Sequence, residues 1–361
     1  MTRYSGIWIQ ALAGLLSCWC IWSSAPMAPA QERPLEVVIT DMEGGAGTVI
    51  ATPAGEVVVI DCGSYLPDAR DAHRIADAVR ALGFDRIHHL IITHYHRDHW
   101  GGVSQLAELV PIERFYDHGD LEQLPEDPNY PTYRRRYLKV ASGKRTTVRP
   151  GFVLPLAGEK LNMWCVSARK VPYGPPVRPC GIHAPSPDDP TDNARSLAFV
   201  LELGPFRAFF GGDTTRKVEH SLVCPLNRVG EVDVYQADHH GLDSSNHPVL
   251  LARLNPTVIL MHNGKRKGGG PKTFKAFRQA KSVQAIFQLH RSLRFPEWNA
   301  PDEFIANLGE RQTGTPIRVT VSPDGRRYTV RIGMDGPPHH FKTRLDKKRP
   351  EVAPPIATAG N

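Results

Sequence analysis

Short apolar runs alternate along the chain with stretches of helical periodicity. The runs LEVVIT, GTVIAT and EVVVIDCG, within residues 35–63, are rich in β-branched residues and are separated by glycine and proline, which is typical of strands joined by tight turns. The next stretch, DARDAHRIADAVRALG, places apolar residues at helical spacing and ends at Gly83. The pattern therefore predicts a hairpin of strands followed by an amphipathic helix.

Further buried strands are predicted by the runs IHHLIITH, SLAFVLEL, RAFFGGD, EVDVYQADHHG and NPTVILMHNG. The stretch GGVSQLAELV after the first of these predicts a helix, and residues 317–332 predict a hairpin with an Asp-Gly turn. Because strands and helices alternate, the fold class is α/β with layered sheets and helices. Several of the strands end in histidine or aspartate, and α/β proteins usually place their sites at strand ends.

Two stretches lack this regularity. Residues 117–192 are rich in proline, aspartate and arginine and predict a long loop region with one helix at YRRRYLK. Residues 336–361 form a proline-rich basic tail, which we expect to be disordered, with His339 and His340 in solvent. The main domain is accordingly predicted to span residues 31–335, including the hairpin.

The first thirty residues read as a signal peptide. Arg3 precedes an apolar run from about Ile7 to Trp22, and small residues then lead to Ala28-Pro29-Ala30. This pattern predicts a secreted or periplasmic protein with no stable membrane span after cleavage. A membrane anchor and a lipoprotein attached at Cys18 are the alternatives, but the apolar run is short and interrupted for a span.

The composition is that of a globular protein: 361 residues, 41% hydrophobic, 22% charged and a formal net charge of +7. Export would leave four cysteines, Cys62, Cys165, Cys180 and Cys224, which allow three disulfide pairings. The favoured pairing is Cys165 with Cys180, because it would close a proline-rich loop. The composition does not indicate an oligomeric state.

The chemistry is concentrated in IITHYHRDHWGG, residues 91–102, where His94, His96, Asp98 and His99 follow a buried strand. Imidazole and carboxylate ligands suit zinc, and also manganese or iron. Four ligands within six positions do not fit around one tetrahedral ion, whereas a pair of ions could share them and activate a water molecule. Further ligands must come from other parts of the chain.

This motif resembles that of the metallo-β-lactamase-fold superfamily of metal-dependent hydrolases. The resemblance covers roughly residues 35–300 and also rests on VVVIDCG, FFGGDTT and DHHGLDSS. It implies a four-layer αβ/βα fold, with two mixed sheets sandwiched between helices. Matching stretches such as EGGAGTVIATPAGEVVVIDCG and HNGKRKGGGPKTF make the chain most similar to stand-alone exported members of the competence branch (DNA internalisation, ComEC-like).

The resemblance also implies a ligand set. One ion, expected to be zinc, would bind His94, His96 and Asp213. The second would bind Asp98, His99, Asp213 and His240. Asp98 and Asp213 would be the catalytic carboxylates, and Asp61 would support the metal-binding loop.

The chain departs from the family pattern at one ligand of the first ion. Many members have a histidine before the strand SLAFVLEL, but Asn193 stands at the equivalent position here, so this site is expected to be incomplete. His183 is a substitute candidate, and His239 is a candidate site-lining neighbour of His240. Lys265, in the glycine-rich loop NGKRKGGGPK, and His118 and His290 are candidate substrate contacts, each with a structural role as the alternative.

Three functions remain open. The first is an exported hydrolase of phosphodiesters, small or polymeric, with nucleic acid as a candidate partner, because the competence-branch resemblance and the basic loop favour an anionic substrate. The second is a hydrolase of carbonyl substrates such as a β-lactam, lactone or thioester. The third is a non-catalytic metal-binding protein of the cell envelope. The sequence contains no G-x-S-x-G elbow, P-loop or dinucleotide fingerprint.

Overall fold

The computed structural model describes residues 1–2, 33–158, 160–177 and 187–355. The predicted signal peptide therefore lies almost wholly outside the described residues and stays a prediction. The strands in chain order are β1 Leu35–Ile39, β2 Thr48–Ala51, β3 Val57–Ile60, β4 Ile87–Ile91, β5 Ile112–Asp117, β6 Arg145–Thr147, β7 Leu161–Ala168, β8 Val171–Pro172, β9 Ala198–Leu203, β10 Phe206–Phe210, β11 Val234–Gln236, β12 Val258–Met261, β13 Ala285–His290, β14 Ile305–Asn307, β15 Ile317–Val321, β16 Arg327–Ile332 and β17 His339–Lys342.

The helices in chain order are α1 Arg70–Ala81, α2 Arg97–Trp100, α3 Val103–Leu109, α4 Tyr130–Val140, α5 Arg216–Val223, α6 Pro248–Leu254 and α7 Pro271–Gln279. The predicted first helix is thus α1, and its buried side is the predicted apolar one. No helix among the described residues combines the length and the apolar character needed to cross a bilayer.

The strands form two mixed sheets. Within the described residues, the first sheet has the order β17-β16-β15-β1-β2-β3-β4-β5-β6, and the second has the order β14-β13-β12-β11-β10-β9-β7-β8. In the first sheet β3, β4 and β5 run parallel. In the second, β10 to β13 run parallel. The two parallel groups carry the loops that contain the site.

The central strands of each sheet are buried on both faces. Alternate residues of β1 show how this arises: Val37 and Ile39 join a core shared with the second sheet, whereas Val38 joins a core with α1, α3 and α4. A third core packs the second sheet against α5, α6 and α7. This gives helix, sheet, sheet and helix layers, which confirms the predicted αβ/βα architecture.

The stretch 117–192 is more regular than its composition suggests. It contains α4, short β6 and β8, and the eight-residue strand β7, which pairs with β9 in the second sheet. The prediction of a loop was wrong here because β7, LNMWCVSA, has buried side chains on both faces and so lacks a polar–apolar alternation. His183 lies outside the described residues.

The expected disorder of the tail 336–361 was also wrong for its described part. Residues 339–342 form β17, an edge strand paired with β16. Lys347 then pairs with buried Asp233 at 2.7 Å, and Glu351 pairs with Arg253 at 2.7 Å. Specific ion pairs and strand pairing therefore fix a segment whose composition alone favours disorder; residues 356–361 lie outside the described part of the chain.

The favoured disulfide pairing was wrong as well. Cys165 is a free, buried thiol in β7, and Cys62 is also free and buried. Cys224 is disulfide-bonded. Cys180 lies outside the described residues.

Candidate metal centre

The histidine motif lies where β4 leaves the first sheet. The chain is extended through His96, and α2 then begins at Arg97. The backbone NH of Cys62 donates to the carbonyl of His99 at 2.6 Å, which fastens the turn to the loop after β3. His94 and His99 are both fully buried as a result.

Asp61 holds this turn from behind. Its carboxylate accepts hydrogen bonds from the backbone NH and the hydroxyl of Thr93, both at 2.8 Å. Its Oδ2 is 2.7 Å from Nδ1 of His99. An imidazole NH donated to a carboxylate leaves Nε2 with its lone pair directed to the other side. The structure thus places Asp61 where the sequence analysis expects a supporting carboxylate.

His94 is oriented in a similar way. Its Nδ1 lies 3.0 Å from the hydroxyl oxygen of Thr93. Because that hydroxyl donates to Asp61, its oxygen accepts from the Nδ1–H of His94. The Nε2 of His94 consequently faces the centre as a lone pair.

Asp213 follows β10 in the second sheet and faces four imidazoles. Its Oδ2 lies 3.3 Å from Nε2 of His99, 3.4 Å from that of His240, 3.5 Å from that of His239 and 3.9 Å from that of His94. Residues from β4 and from the ends of β10 and β11 therefore converge on one carboxylate. Four imidazoles around one carboxylate, those of His94, His99 and His240 fully buried, form a donor set typical of a transition-metal site.

His239 and His240 lie in a tight turn after β11. Both have left-handed backbone angles, with φ of 51° and 56°. Non-glycine residues adopt this conformation at a cost and usually where the surroundings require it. Nδ1 of His240 donates to the carbonyl of His262 at 3.2 Å, so its Nε2 is directed to Asp98 and Asp213 at 3.4 Å each.

Three groups of side chains bring their ligand atoms within 4.8 Å of one another: His94, His99 and Asp213; Asp98, His99 and His240; Asp213, His240 and His262. Within the described part of the chain, Nε2 of His94, Nε2 of His262 and Oδ1 of Asp213 are buried without a hydrogen-bond partner. Unpaired buried polar atoms are costly. His94, His262 and Asp213 all belong to the groups above, so these residues fit divalent metal ions.

The charges at the centre are interdependent. Burial alone would lower the pKa of His99, but the carboxylates of Asp213 and Asp61 outweigh it and hold this pKa well above 6.5. Burial alone would raise the pKa of Asp213, but His99 and His240 hold it well below 3.8. Burial lowers the pKa of His239 to about 4. The centre therefore combines ionised carboxylates with imidazoles, and a metal ion competes with protons for Nε2 of His99.

One predicted ligand of the first ion, His96, and the possible site-lining residue Asn193 lie outside these groups. Nε2 of His96 is 3.3 Å from Oε1 of Glu126, which also accepts from the backbone NH of Asp192. Asn193 is nearly buried, and its amide nitrogen is 3.4 Å from Nε2 of His239. The structure thus brings together five of the six predicted ligands and leaves His96 paired with a carboxylate.

The candidate substrate contacts are placed differently. His118 and His290 are fully buried and pair with the buried carboxylates of Asp192 at 3.1 Å and Asp41 at 2.7 Å. The expectation that these two histidines contact substrate is therefore corrected: each is an interior residue whose strand-end position resembled that of a site residue. Lys265 is partly exposed, and its ammonium lies 3.9 Å from Glu43.

Two site residues were missed by the sequence analysis. His262 follows β12 in MHNG, a strand-end position that could have indicated it. Lys267, two residues after Lys265, contacts Oδ2 of Asp98 and lies 3.0 Å from Nε2 of His240. Several lysines and an arginine share that loop, and no spacing rule distinguishes the one that enters the centre.

A double-sheet αβ/βα fold with histidines and aspartates gathered at the strand ends defines a class of metal-dependent hydrolases. The sequence profile of the metallo-beta-lactamase superfamily matches residues 43–229. The chain belongs to this superfamily, which implies divalent metal ions at the clusters described above.

Among curated proteins, the chain is similar to an atrochrysone carboxyl ACP thioesterase of Cryptosporiopsis, with 34% identity over 76 residues. The match covers 20% of this chain and 23% of that protein, so the chain spans less than a quarter of the relative's length.

The chain is also similar to solved structures at low sequence identity. Tm1679, titled a metal-dependent hydrolase of the beta-lactamase superfamily, is 14% identical with a TM-score of 0.44 and covers 72% of this chain and 97% of its own. Igni18, a metallo hydrolase of Ignicoccus hospitalis, is 14% identical with a TM-score of 0.41 and coverage of 70% and 94%. CmlA, a diiron beta-hydroxylase of Streptomyces venezuelae, is 14% identical with a TM-score of 0.42, and the alignment covers 71% of this chain and 52% of CmlA, about half its length.

Proposed function

We propose that this protein is an exported hydrolase that uses divalent metal ions to cleave phosphodiesters. The observation that carries the proposal is the convergence of Asp98, His99, Asp213 and His240 beside a cavity lined by cationic side chains. The convergence supports metal-assisted hydrolysis, and the cavity supports an anionic substrate.

Two ligand sets follow from the geometry. His94 and Asp213 would hold one ion, with His96 as a further ligand. Asp98, His99, Asp213 and His240 would hold the other. Because Asn193 offers no imidazole and His96 is paired with Glu126, the first set is the less complete. Zinc suits these ligands best, with manganese and iron as alternatives.

When bound, the ions supply an activated water molecule and polarise the attacked oxygen. The protein side chains prepare the site for this chemistry. Asp61 and Thr93 fix the imidazoles of His99 and His94 with Nε2 inward. The carboxylates of Asp98 and Asp213 supply the negative charge that retains cations, and Asp213 links residues from the two sheets through its contacts with His99 and His240.

A cavity of about 300 Å³ lies next to the centre. It is lined by Glu43, Lys265, Arg266, Lys267, Leu293 and Glu310. Lys267 directs its ammonium to Asp98, and Lys265 and Arg266 lie only loosely paired, 3.9 Å from Glu43 and Glu310. These two cations support binding of an anion such as a phosphate flanking the scissile bond. Such a group is present in nucleic acids and in other phosphodiester polymers.

The test compares two chromogenic substrates with purified, metal-loaded protein. We expect hydrolysis of bis-p-nitrophenyl phosphate, little hydrolysis of nitrocefin, and loss of the activity in Asp213→Asn. Lys265→Met is expected to raise KM for a dinucleotide that bears a terminal phosphate more than it raises KM for bis-p-nitrophenyl phosphate. Cleavage of nitrocefin or an acyl thioester without cleavage of the diester would overturn the phosphodiester assignment.

A carbonyl substrate is the second candidate, because the curated relative is named as an acyl-carrier-protein thioesterase. The local match of 76 residues supports a thioester in particular. Membership of the competence branch and export through the N-terminal segment are part of the first proposal. They rest on the stretches EGGAGTVIATPAGEVVVIDCG and HNGKRKGGGPKTF and on the signal-like pattern of residues 1–30. N-terminal sequencing of the protein recovered from a periplasmic or culture fraction tests the export.

A further inference from the structure

Lys267 reaches from the basic loop into the candidate metal centre. Its ammonium contacts Oδ2 of Asp98 and lies 3.0 Å from Nε2 of His240. The side chain remains 41% exposed. Lys267 therefore lines the cavity, whereas its ammonium lies beside the candidate metal ligands Asp98 and His240.

The backbone keeps Lys267 at this position. The NH groups of Gly269 and Gly270 donate to the carbonyls of His240 and Gly241 at 3.1 and 2.8 Å, which joins the loop to the histidine turn. Gly268 has φ of +83°, and a Cβ there would lie 2.0 Å from the carbonyl oxygen of His240. Such close approach of two backbones requires glycine, so the contact between the loops is built into the chain.

The two atoms that contact Lys267 belong to one of the groups able to hold an ion. Asp98, His99 and His240 bring their ligand atoms within 4.8 Å of one another. A divalent ion in that group would take Oδ2 of Asp98 and Nε2 of His240, the same two atoms. An ammonium and a metal cation at such short separation repel each other strongly.

We propose that Lys267 is a resident cation of the Asp98–His99–His240 group and competes with a divalent ion for it. The inference rests on the metal centre of the proposed function. It makes the two sites unequal: the group of His94, His99 and Asp213 is free of this competition, whereas the other group fills only when the ammonium moves away. At low metal concentration the protein then holds one ion per chain.

The test is calorimetric titration of the full, metal-free chain with Mn²⁺, with bound metal counted by elemental analysis after gel filtration. Lys267→Met keeps the length of the side chain and removes its charge. We expect it to tighten the weaker binding step by at least about tenfold, since one unit charge within about 4 Å changes an ion's free energy by more than 1 kcal/mol. The Mn²⁺ retained after gel filtration should rise from about one to about two ions per chain.

Lys265→Met is the matched control, because it removes the same charge from the same loop, and the Lys265 ammonium lies beside Glu43. It is expected to change the Mn²⁺ affinity by less than about threefold, as exposed charges farther away are screened. Circular dichroism of both variants shows that the fold is retained.

Two results would overturn the inference. If Lys267→Met binds Mn²⁺ with the affinity and number of ions of the unmodified chain, Lys267 does not compete, while the proposed hydrolase stands. If Lys267→Met and Lys265→Met tighten Mn²⁺ binding equally, the cause is the loss of one positive charge from the loop and not the position of Lys267. A chain that binds no Mn²⁺ or Zn²⁺ in any form would instead remove the metal centre itself, and both proposals with it.

Discussion

The imidazoles of the centre are each held by a partner on the side away from it. Asp61 orients His99, Thr93 orients His94, and the carbonyl of His262 orients His240. Such outer partners fix the tautomer and ring orientation of a ligand and increase its basicity. The geometry of the centre therefore depends on residues that need not touch a metal.

Replacing Asp61 tests this dependence. Asp61→Asn keeps the shape of the side chain but removes the charge that faces His99 and weakens the acceptor for its Nδ1–H. We expect the affinity for Zn²⁺ or Mn²⁺ to fall by about 10- to 100-fold, as measured by calorimetry or a competing chelator.

Asp77→Asn is the control for this substitution, because Asp77 is a largely exposed residue of α1, with 71% side-chain exposure. It should leave metal affinity unchanged. Equal affinities for the Asp61 variant and the unmodified chain would contradict the supporting role.

Only some residues of the centre can be identified from the sequence. His94, Asp98 and His99 are visible because they lie together after one strand, and a resemblance to a known motif identifies Asp213 and His240. Lys267 enters the centre through a contact between two loops, which depends on tertiary packing. The burial of His118 and His290 likewise follows from partner carboxylates distant in sequence, Asp192 and Asp41.

At the scale of elements, β17 shows how a polar-looking segment can still be structural. Along HHFK, His339 and Phe341 are half-buried, whereas His340 and Lys342 are exposed. The Phe341 ring stacks on Tyr328 with 5.3 Å between centroids, and the His339 ring lies 5.3 Å from that of Phe287. The strand thus covers one end of the core between the sheets.

Phe341→Ala is expected to destabilise the protein because it uncovers Tyr328, which is otherwise buried. Truncation of a fully buried phenylalanine costs about 3–5 kcal/mol, so this half-buried ring should contribute on the order of 1–2 kcal/mol. Chemical denaturation measures the change. Lys342→Ala, on the exposed face of the same strand, should have no measurable effect, and a similar loss in both variants would show that the ring contact is not the cause.

The elements were predictable where local pattern and burial agree. The strands β1 to β4 are apolar runs bounded by turn residues, and the helix α1 has clear periodicity. By contrast, β7 lies within a stretch rich in proline, aspartate and arginine, and β17 has only four residues within a stretch rich in proline and lysine. In both cases pairing with a distant strand, β9 or β16, decides the conformation, and a local pattern contains no information about that partner.

At the scale of the molecule, the two sheets meet at the metal centre. His94, Asp98 and His99 belong to the first sheet's loops, whereas Asp213 and His240 belong to those of the second. An ion bound between them connects the two halves of the sandwich. Metal binding should therefore stabilise the whole fold rather than one loop.

Removal of metal tests this connection. At a free metal concentration of about 100 times Kd, binding to the native state alone adds about 2.7 kcal/mol to the free energy of unfolding. We expect a chelator to lower Tm, and excess Zn²⁺ or Mn²⁺ to restore it, as followed by circular dichroism. Asp213→Asn should have a Tm that responds weakly to metal; a response as large as that of the unmodified chain would contradict a bridging role for this carboxylate.

The pairing of β1 with β15 has a consequence for how the chain folds. Glu36 accepts two hydrogen bonds from the guanidinium of Arg318, 282 positions later, so the middle of the first sheet joins two segments that are far apart along the chain. Closing such a long loop is entropically costly and slows folding. During synthesis, one edge of β1 stays unpaired until β15 has left the ribosome. The first sheet therefore cannot be completed until all the residues between these two strands have been made.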